Sequence, residues 1–254
     1  MDLIREETEL RTRALLGEAA MARLHHARVA VFGLGGVGGY AAEAMARCGV
    51  GHLTLVDGDT FSPSNLNRQL FCTADTVGLP KAAVAKERLC AVAPWVQAEA
   101  IERFLTAENV GEFALASYDY VVDAVDDLLA KEALAVACRD ARVPLLCAMG
   151  AGNKRSCTAF AVVDLAKTHT DPLAKRMRAA LHKRGIRHLK TVCSAEPPRT
   201  PDADTLSAEA AGRKRPIGSL PLVVGAMGMA MAGEVVTDLC GITCAYAPYG
   251  EVQA

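Results

Sequence analysis

The segment Gly33-Leu34-Gly35-Gly36-Val37-Gly38-Gly39 constrains this chain more than any other. It follows four apolar residues, Val29-Ala30-Val31-Phe32, and opens a small-residue stretch from Val37 to Cys48. These read as a buried strand, a glycine turn and a tightly packed helix, which Gly49 and Gly51 end. His52 to Val56 is a second strand stopping at Asp57, nineteen residues after Gly38. Strand, G-x-G-x-x-G turn, helix, strand and terminal acid together make a nucleotide-binding β-α-β unit. Gly33, Gly35, Gly36 and Gly38 let phosphate approach the backbone, and the helix N-terminus offers free N–H groups. An acid at Asp57 accepts hydrogen bonds from ribose hydroxyls. A glycine turn that only packs a helix onto a sheet would leave Asp57 unexplained.

The alternation continues along the chain. Helices are expected over 81–92, 108–116 and 128–141, and strands over 97–101, 118–125 and 143–148. That order implies an α/β fold, a Rossmann-like, mainly parallel sheet with flanking helices. Residues 1–28 read as a helical lead-in, with Leu15, Leu16, Ala19, Ala20 and Leu24 at helix-like spacing. Residues 29–150 form the nucleotide-binding core, and 151–254 a substrate and dimer half that extends the sheet, the whole being one domain. In that second half, 158–163 reads as a strand. Asp171 caps a helix with Pro172 in its first turn, Gly185 stops it, and 186–193 reads as a further strand. Glu196 to Pro216, rich in Pro, Ala and charge, reads as a mobile crossover loop.

Composition narrows the class. Of the 254 residues 51% are apolar and only 5% aromatic, as in α/β proteins with buried strands. A net charge of -1 points to no partner by itself. Nine cysteines include no C-x-x-C pair, so no zinc site is expected. Their odd number and the acidic, polar N-terminus fit reduced thiols in a cytoplasmic protein. Ile217 to Val236 is apolar enough to resemble a membrane span, but four glycines, Pro221 and Glu234 interrupt it. A buried helix is the expectation there, and no membrane partner.

The residues after Asp57 decide which nucleotide is bound. Asp59, Asn65, Arg68 and Gln69 follow it, and Lys81 opens the next helix. All leave the carboxyl end of the second strand, where ligands sit in such sheets. A dinucleotide's pyrophosphate is already served by the glycine turn. An added Arg and Lys suit a triphosphate, whose departing pyrophosphate needs fixed cations. Asp126 follows the strand that ends near Val125 and can hold Mg²⁺ against phosphates. Taken singly, Arg68 or Lys81 reads as a solvated charge and Asp126 as a helix cap. At successive strand ends beside one glycine turn they read as a site.

These residues resemble the ubiquitin-activating-enzyme-like superfamily. The likeness lies in Gly33 to Gly39, Asp57-Gly-Asp59, Asn65-Leu-Asn-Arg68-Gln69, Lys81 and Asp123-Ala-Val-Asp126, and spans nearly the whole chain. Within it, the chain is most similar to the tRNA threonylcarbamoyladenosine dehydratases. Those stretches are Arg11-Thr12 before Leu15-Leu16-Gly17, Gly150-Ala-Gly-Asn-Lys154, Asp164-Leu-Ala-Lys167-Thr168, Asp171-Pro172-Leu173-Ala174 and Ser194-Ala-Glu196-Pro-Pro198. The resemblance implies ATP-dependent adenylation of a carboxylate beside the tRNA anticodon, then ring closure within the same side chain. It implies that Gly35 and Gly36 approach the phosphates and Asp57 holds ribose. Asn65, Arg68 and Lys81 would hold the triphosphate, and Asp126 magnesium. Arg11 would reach a neighbouring subunit's ATP in a homodimer, although Arg13 is adjacent and competes for that assignment. A cysteine-desulfurase or sulfur-acceptor partner is a further implication.

A tRNA substrate fits the charge pattern. Between Asp171 and Glu196 no acid occurs, while Lys175, Arg176, Arg178, Lys183, Arg184, Arg187 and Lys190 do, and Arg213-Lys214-Arg215 follow. This stripe reads as a polyanion footprint or as one solvated helix face. Cys193 precedes the expected loop, as the thioester-forming cysteine does in related enzymes, yet a lone cysteine in an apolar strand reads as buried and inert. Two other readings stay open. One is activation of a small ubiquitin-like or sulfur-carrier protein at the same ATP site; the other is a nicotinamide- or flavin-dependent oxidoreductase.

Overall fold

The computed structural model describes residues 2–200 and 217–242. The lead-in is two helices, α1 (Asp2–Leu16) and α2 (Glu18–His26), broken where Gly17 takes φ 83°. The break lets α2 press Ala20, Met21 and Leu24 into the core while Leu15 of α1 stays 83% exposed. Then come β1 (Arg28–Phe32), α3 (Gly38–Arg47), β2 (His52–Val56), α4 (Lys81–Val92), β3 (Gln97–Ile101) and β4 (Tyr120–Asp123). They are followed by α5 (Leu128–Ala141), β5 (Leu145–Ala148), β6 (Phe160–Asp164), α6 (Pro172–Lys183), β7 (Lys190–Ser194) and α7 (Pro221–Cys240).

The strands form one seven-stranded sheet in the order β3-β2-β1-β4-β5-β7-β6. Every pairing is parallel except β6 with β7. Helices cover both faces, so the central strands carry continuous apolar runs; Val29 to Phe32 and Val121 to Val122 are wholly buried. From β1 the chain winds outward to β3, then returns to β4 on the other side of β1. The crevice at the carboxyl ends of β1 and β4 is therefore the topological switch point, where ligands of such sheets bind.

Two expected elements differ. Residues 108–116 form two short 3₁₀ turns, Val110–Glu112 and Leu115–Ser117, instead of a helix. Asn109 explains this locally: its Oδ1 accepts the Thr106 N–H and its Nδ2 donates to the Phe104 carbonyl. The strand expected from Ile186 starts at Lys190, because the Ile186 N–H donates to the Leu181 carbonyl and finishes α6. The Asp171 cap behaves as expected, its Oδ1 accepting the Ala174 N–H at 2.9 Å.

The apolar run becomes α7, which by length and composition could cross a membrane. In the fold it lies along α3 and α2, with Val223, Met227, Met231 and Val235 fully buried. The α3–α7 contact is close: a Cβ on Gly228 would stand 2.5 Å from the Val37 carbonyl oxygen and 2.7 Å from Tyr40 Cβ. Most of the expected loop, residues 201–216 including Arg213-Lys214-Arg215, lies outside the described residues, as does Cys244.

Candidate functional site

A cleft of about 270 Å³ opens at the switch point. Its floor is the turn between β1 and α3. Gly33 has φ 86°, and a Cβ there would meet the Ala124 carbonyl oxygen at 2.7 Å; only glycine fits. Gly38 opens α3 against the Gly33 carbonyl, leaving 1.8 Å for a Cβ. Gly33, Gly35 and Gly36 line the cleft, whereas Gly38 sits behind it and allows the helix to approach. The free N–H groups at the start of α3 point their positive dipole end at this floor.

Asp57 braces the turn. Its Oδ2 accepts the Leu34 N–H at 2.7 Å and its Oδ1 the Asp59 N–H at 2.9 Å. Each oxygen keeps a second lone pair for a ribose hydroxyl. Asp59 holds the Lys81 ammonium at 2.9 Å, and its carbonyl accepts the Lys81 backbone N–H. The Lys81 side chain is 7% exposed and that of Asp59 54%, so the lysine is a nearly buried cation placed by a solvated acid. Two of its three donors remain for phosphate.

The arm between β2 and α4 brings the other residues. Arg68 lines the cleft, with Nη1 donating to the Ser64 carbonyl at 2.8 Å and to Asn67 Oδ1 at 3.0 Å. Gln69 also lines it; its buried Oε1 has no hydrogen-bond partner among the described residues. Asn65 does not line the cleft. It is buried beneath the arm, its Oδ1 accepting the Ser62 N–H and its carbonyl the Gln69 N–H, so it shapes the turn that carries Arg68. The fold thus does not bring Asn65 to the cleft wall beside Arg68, Gln69 and Lys81.

Asp126 lines the opposite wall as an exposed carboxylate with no hydrogen-bond or ion-pair partner among the described residues. The cap of α5 is its neighbour Asp127, which accepts the Ala130 N–H at 2.8 Å. The cleft holds the cations Arg68, Lys81 and Arg103 against the acids Asp57, Asp59, Asp126 and Asp127. A bare triphosphate would make this balance strongly negative. The donor set thus fits a nucleotide that arrives with a divalent cation, held by one carboxylate and phosphate oxygens. Among the described residues no three acids, histidines or cysteines cluster as an all-protein metal cage.

Sequence reasoning missed four cleft residues that the fold supplies. Arg103, Phe104 and Leu105 follow β3, and Val224 reaches in from the start of α7. Phe104 is 59% exposed, an aromatic face open to the cleft. The rule that ligands gather at strand ends, applied to β3, would have found the first three. Val224 carries no such signal.

Arg11 is exposed on α1 and does not line the cleft. Arg13 is engaged within the chain, by Glu9 and Glu18 at 3.3 Å each. The basic stripe divides. Arg178 donates to the Leu165 and Thr168 carbonyls and to the Thr168 hydroxyl, Arg184 pairs with Glu132 at 2.7 Å, and Lys190 pairs with Glu234 and Asp238. Those three hold the fold together. Lys175, Arg176, Lys183 and Arg187 are exposed. Cys193 is 6% exposed, and burial pushes its thiol up to about 11, so it stays protonated at neutral pH.

The comparisons agree with this geometry. A family profile described as ThiF family matches residues 8–251. The tRNA threonylcarbamoyladenosine dehydratase of Bacillus subtilis is 38% identical over 236 residues, which cover 90% of this chain and 93% of that one. The Escherichia coli protein of that name is 42% identical over 170 residues, 67% of this chain and 63% of its own length. A crystal structure of the Escherichia coli tRNA N6-threonylcarbamoyladenosine dehydratase in complex with ATP superposes with a TM-score of 0.84 at 32% identity, covering 93% of this chain and 95% of that one.

Proposed function

Because this chain belongs to the ThiF family, we propose that its cleft activates a carboxylate with ATP, as the sequence implies, and that the substrate is threonylcarbamoyladenosine in tRNA. The reaction is an ATP-dependent dehydration. The substrate carboxylate attacks the α-phosphorus and pyrophosphate leaves; a group of the same side chain then attacks the acyl adenylate, closes a ring and releases AMP. The sum is loss of one water. The observation that carries the reading is that Gly33, Gly35, Gly36, Asp57, Arg68, Gln69, Lys81 and Asp126 line one cleft at the switch point.

Such chemistry needs orientation and charge stabilisation rather than a protein nucleophile. The glycine floor and the start of α3 bind phosphate, and Asp57 takes ribose. Phe104 offers an apolar face for the base. Lys81 and Arg68 neutralise the charge that grows on departing pyrophosphate; Arg68 releases the Ser64 carbonyl and Asn67 to do so. Magnesium, held by Asp126, would supply further neutralisation of the phosphate oxygens. No sulfur-transfer step through Cys193 is proposed, since its thiol is buried and protonated. The homodimer with Arg11 acting on the neighbouring site, tRNA docking on the exposed lysines and arginines of α6, and a cytoplasmic setting belong to the same proposal.

Activation of a carrier protein is not favoured: the full-length relatives bear the dehydratase name and the chain has no C-x-x-C pair. Incubation with ATP and unfractionated tRNA, followed by nucleoside mass spectrometry, tests the reading. Threonylcarbamoyladenosine should convert to a product lighter by one water, with AMP released. Pyrophosphate exchange that requires an added carrier protein would reject it.

A further inference from the structure

Beneath the cleft wall lies a buried charge pair that the catalytic reading does not use. The Lys131 ammonium on α5 and the Asp123 carboxylate ending β4 are each 0% exposed and meet at 2.9 Å. Nothing in stability alone calls for it. Replacing a buried ion pair by apolar residues of similar volume is often neutral or stabilising, because desolvation offsets the attraction. What the pair does locally is more specific. Asp123 Oδ1 accepts the Val125 N–H at 3.1 Å, and Lys131 Nζ donates to the Val125 carbonyl at 3.1 Å. Both polar groups of one residue's backbone are therefore held by the two charges. The peptide planes on either side of Val125 are fixed, and the next residue is Asp126. Cys147 adds a third tie, its thiol directed at Asp123 Oδ2 at 3.0 Å. The Lys131 backbone N–H completes the loop by donating to the Asp127 carbonyl.

We infer that Asp123 and Lys131 are positioning residues that clamp the Val125 backbone so that the Asp126 carboxylate meets the metal-bound phosphates. The inference rests on the reading of Asp126 as the magnesium ligand. A supporting shell of this kind typically changes metal affinity by about ten- to a hundredfold when it is removed. Lys131→Met alone leaves a buried, unpaired carboxylate and would lower stability whatever its role. The informative variant is Asp123→Asn combined with Lys131→Met, which removes both charges at nearly constant volume.

Titration calorimetry with a non-hydrolysable ATP analogue, in excess magnesium and in EDTA, tests the idea. The double variant should melt near the wild type and bind the analogue in EDTA about as well. In magnesium it should bind about tenfold more weakly, matching Asp126→Asn. Lys131→Arg, which keeps a cation able to donate to the Val125 carbonyl, should retain most of the magnesium-dependent affinity. Full magnesium-dependent affinity in the folded double variant would overturn the inference while leaving Asp126 in place. Equal losses with and without magnesium would also overturn it, by showing a general packing defect. An Asp126→Asn protein that binds like wild type under both conditions would instead overturn the metal reading, and the inference with it.

Discussion

At the residue scale the site is a set of side chains already held by neighbours. Lys81 waits on Asp59, Asp57 braces Leu34 and Asp59, and Arg68 rests on Ser64 and Asn67. Asp126 lines the cleft without a hydrogen-bond or ion-pair partner among the described residues. Loss of a cation or of the metal-binding acid should therefore strike chemistry before stability. Lys81→Ala and Asp126→Ala are each expected to slow AMP formation by about a hundredfold or more, with circular dichroism unchanged. Near-normal turnover in either would remove that residue from the mechanism. Cys193→Ser should change cyclisation by less than about twofold, since a protonated, buried thiol is no nucleophile. Sequence made Arg68, Gln69, Lys81 and Asp126 visible because motif and strand end coincide there. Phe104 follows β3 outside any motif, where only the strand-end rule signals it; Val224 was hidden because its approach depends on tertiary packing, and the Lys131–Asp123 contact because it spans a helix and a strand.

At the element scale the reading succeeded where periodicity and punctuation agreed. β2, α4, β3 and α5 fall where the sequence puts them; Gly51 and Asp57 bound β2, Pro80 precedes α4 and Asp127 precedes α5. It failed at 108–116, where the Asn109 side chain bonds the preceding backbone at Thr106 and Phe104 and outcompetes a helix. The strand expected over 186–193 begins only at Lys190, because Ile186 belongs to the stop of α6. Helix α6 also sorts the basic stripe. Arg178 on it, with Arg184 and Lys190 beyond its end, is committed to carbonyls and acids, while Lys175, Arg176 and Lys183 on it and Arg187 after it face solvent. Replacing Lys175, Arg176, Lys183 and Arg187 together by alanine should reduce the salt dependence of tRNA binding by roughly three in log-log slope. Filter binding across a potassium chloride series measures it. An unchanged slope would place the docking surface elsewhere, away from these four residues.

At the scale of the whole molecule, one continuous sheet joins the nucleotide core to the half that carries α6 and α7, and α7 lends Val224 to the cleft. If Arg11 serves the neighbouring subunit, two inactive proteins should repair each other. Mixed Arg11→Ala and Asp126→Ala chains, unfolded and refolded together, should regain about a quarter of wild-type turnover, because each hybrid dimer has one intact site. No recovery would mean that Arg11 works in its own chain or not at all. The α3–α7 contact carries a consequence of another kind. Between Gly228 and Val37 the clearance is smaller than a methyl group, and Val37 ends the phosphate-cradling turn. The greasiest stretch of the chain is in this sense a gauge block for the nucleotide. A lone methyl at position 228, introducing neither charge nor polarity, would jack the two helices apart and show up as weakened ATP affinity.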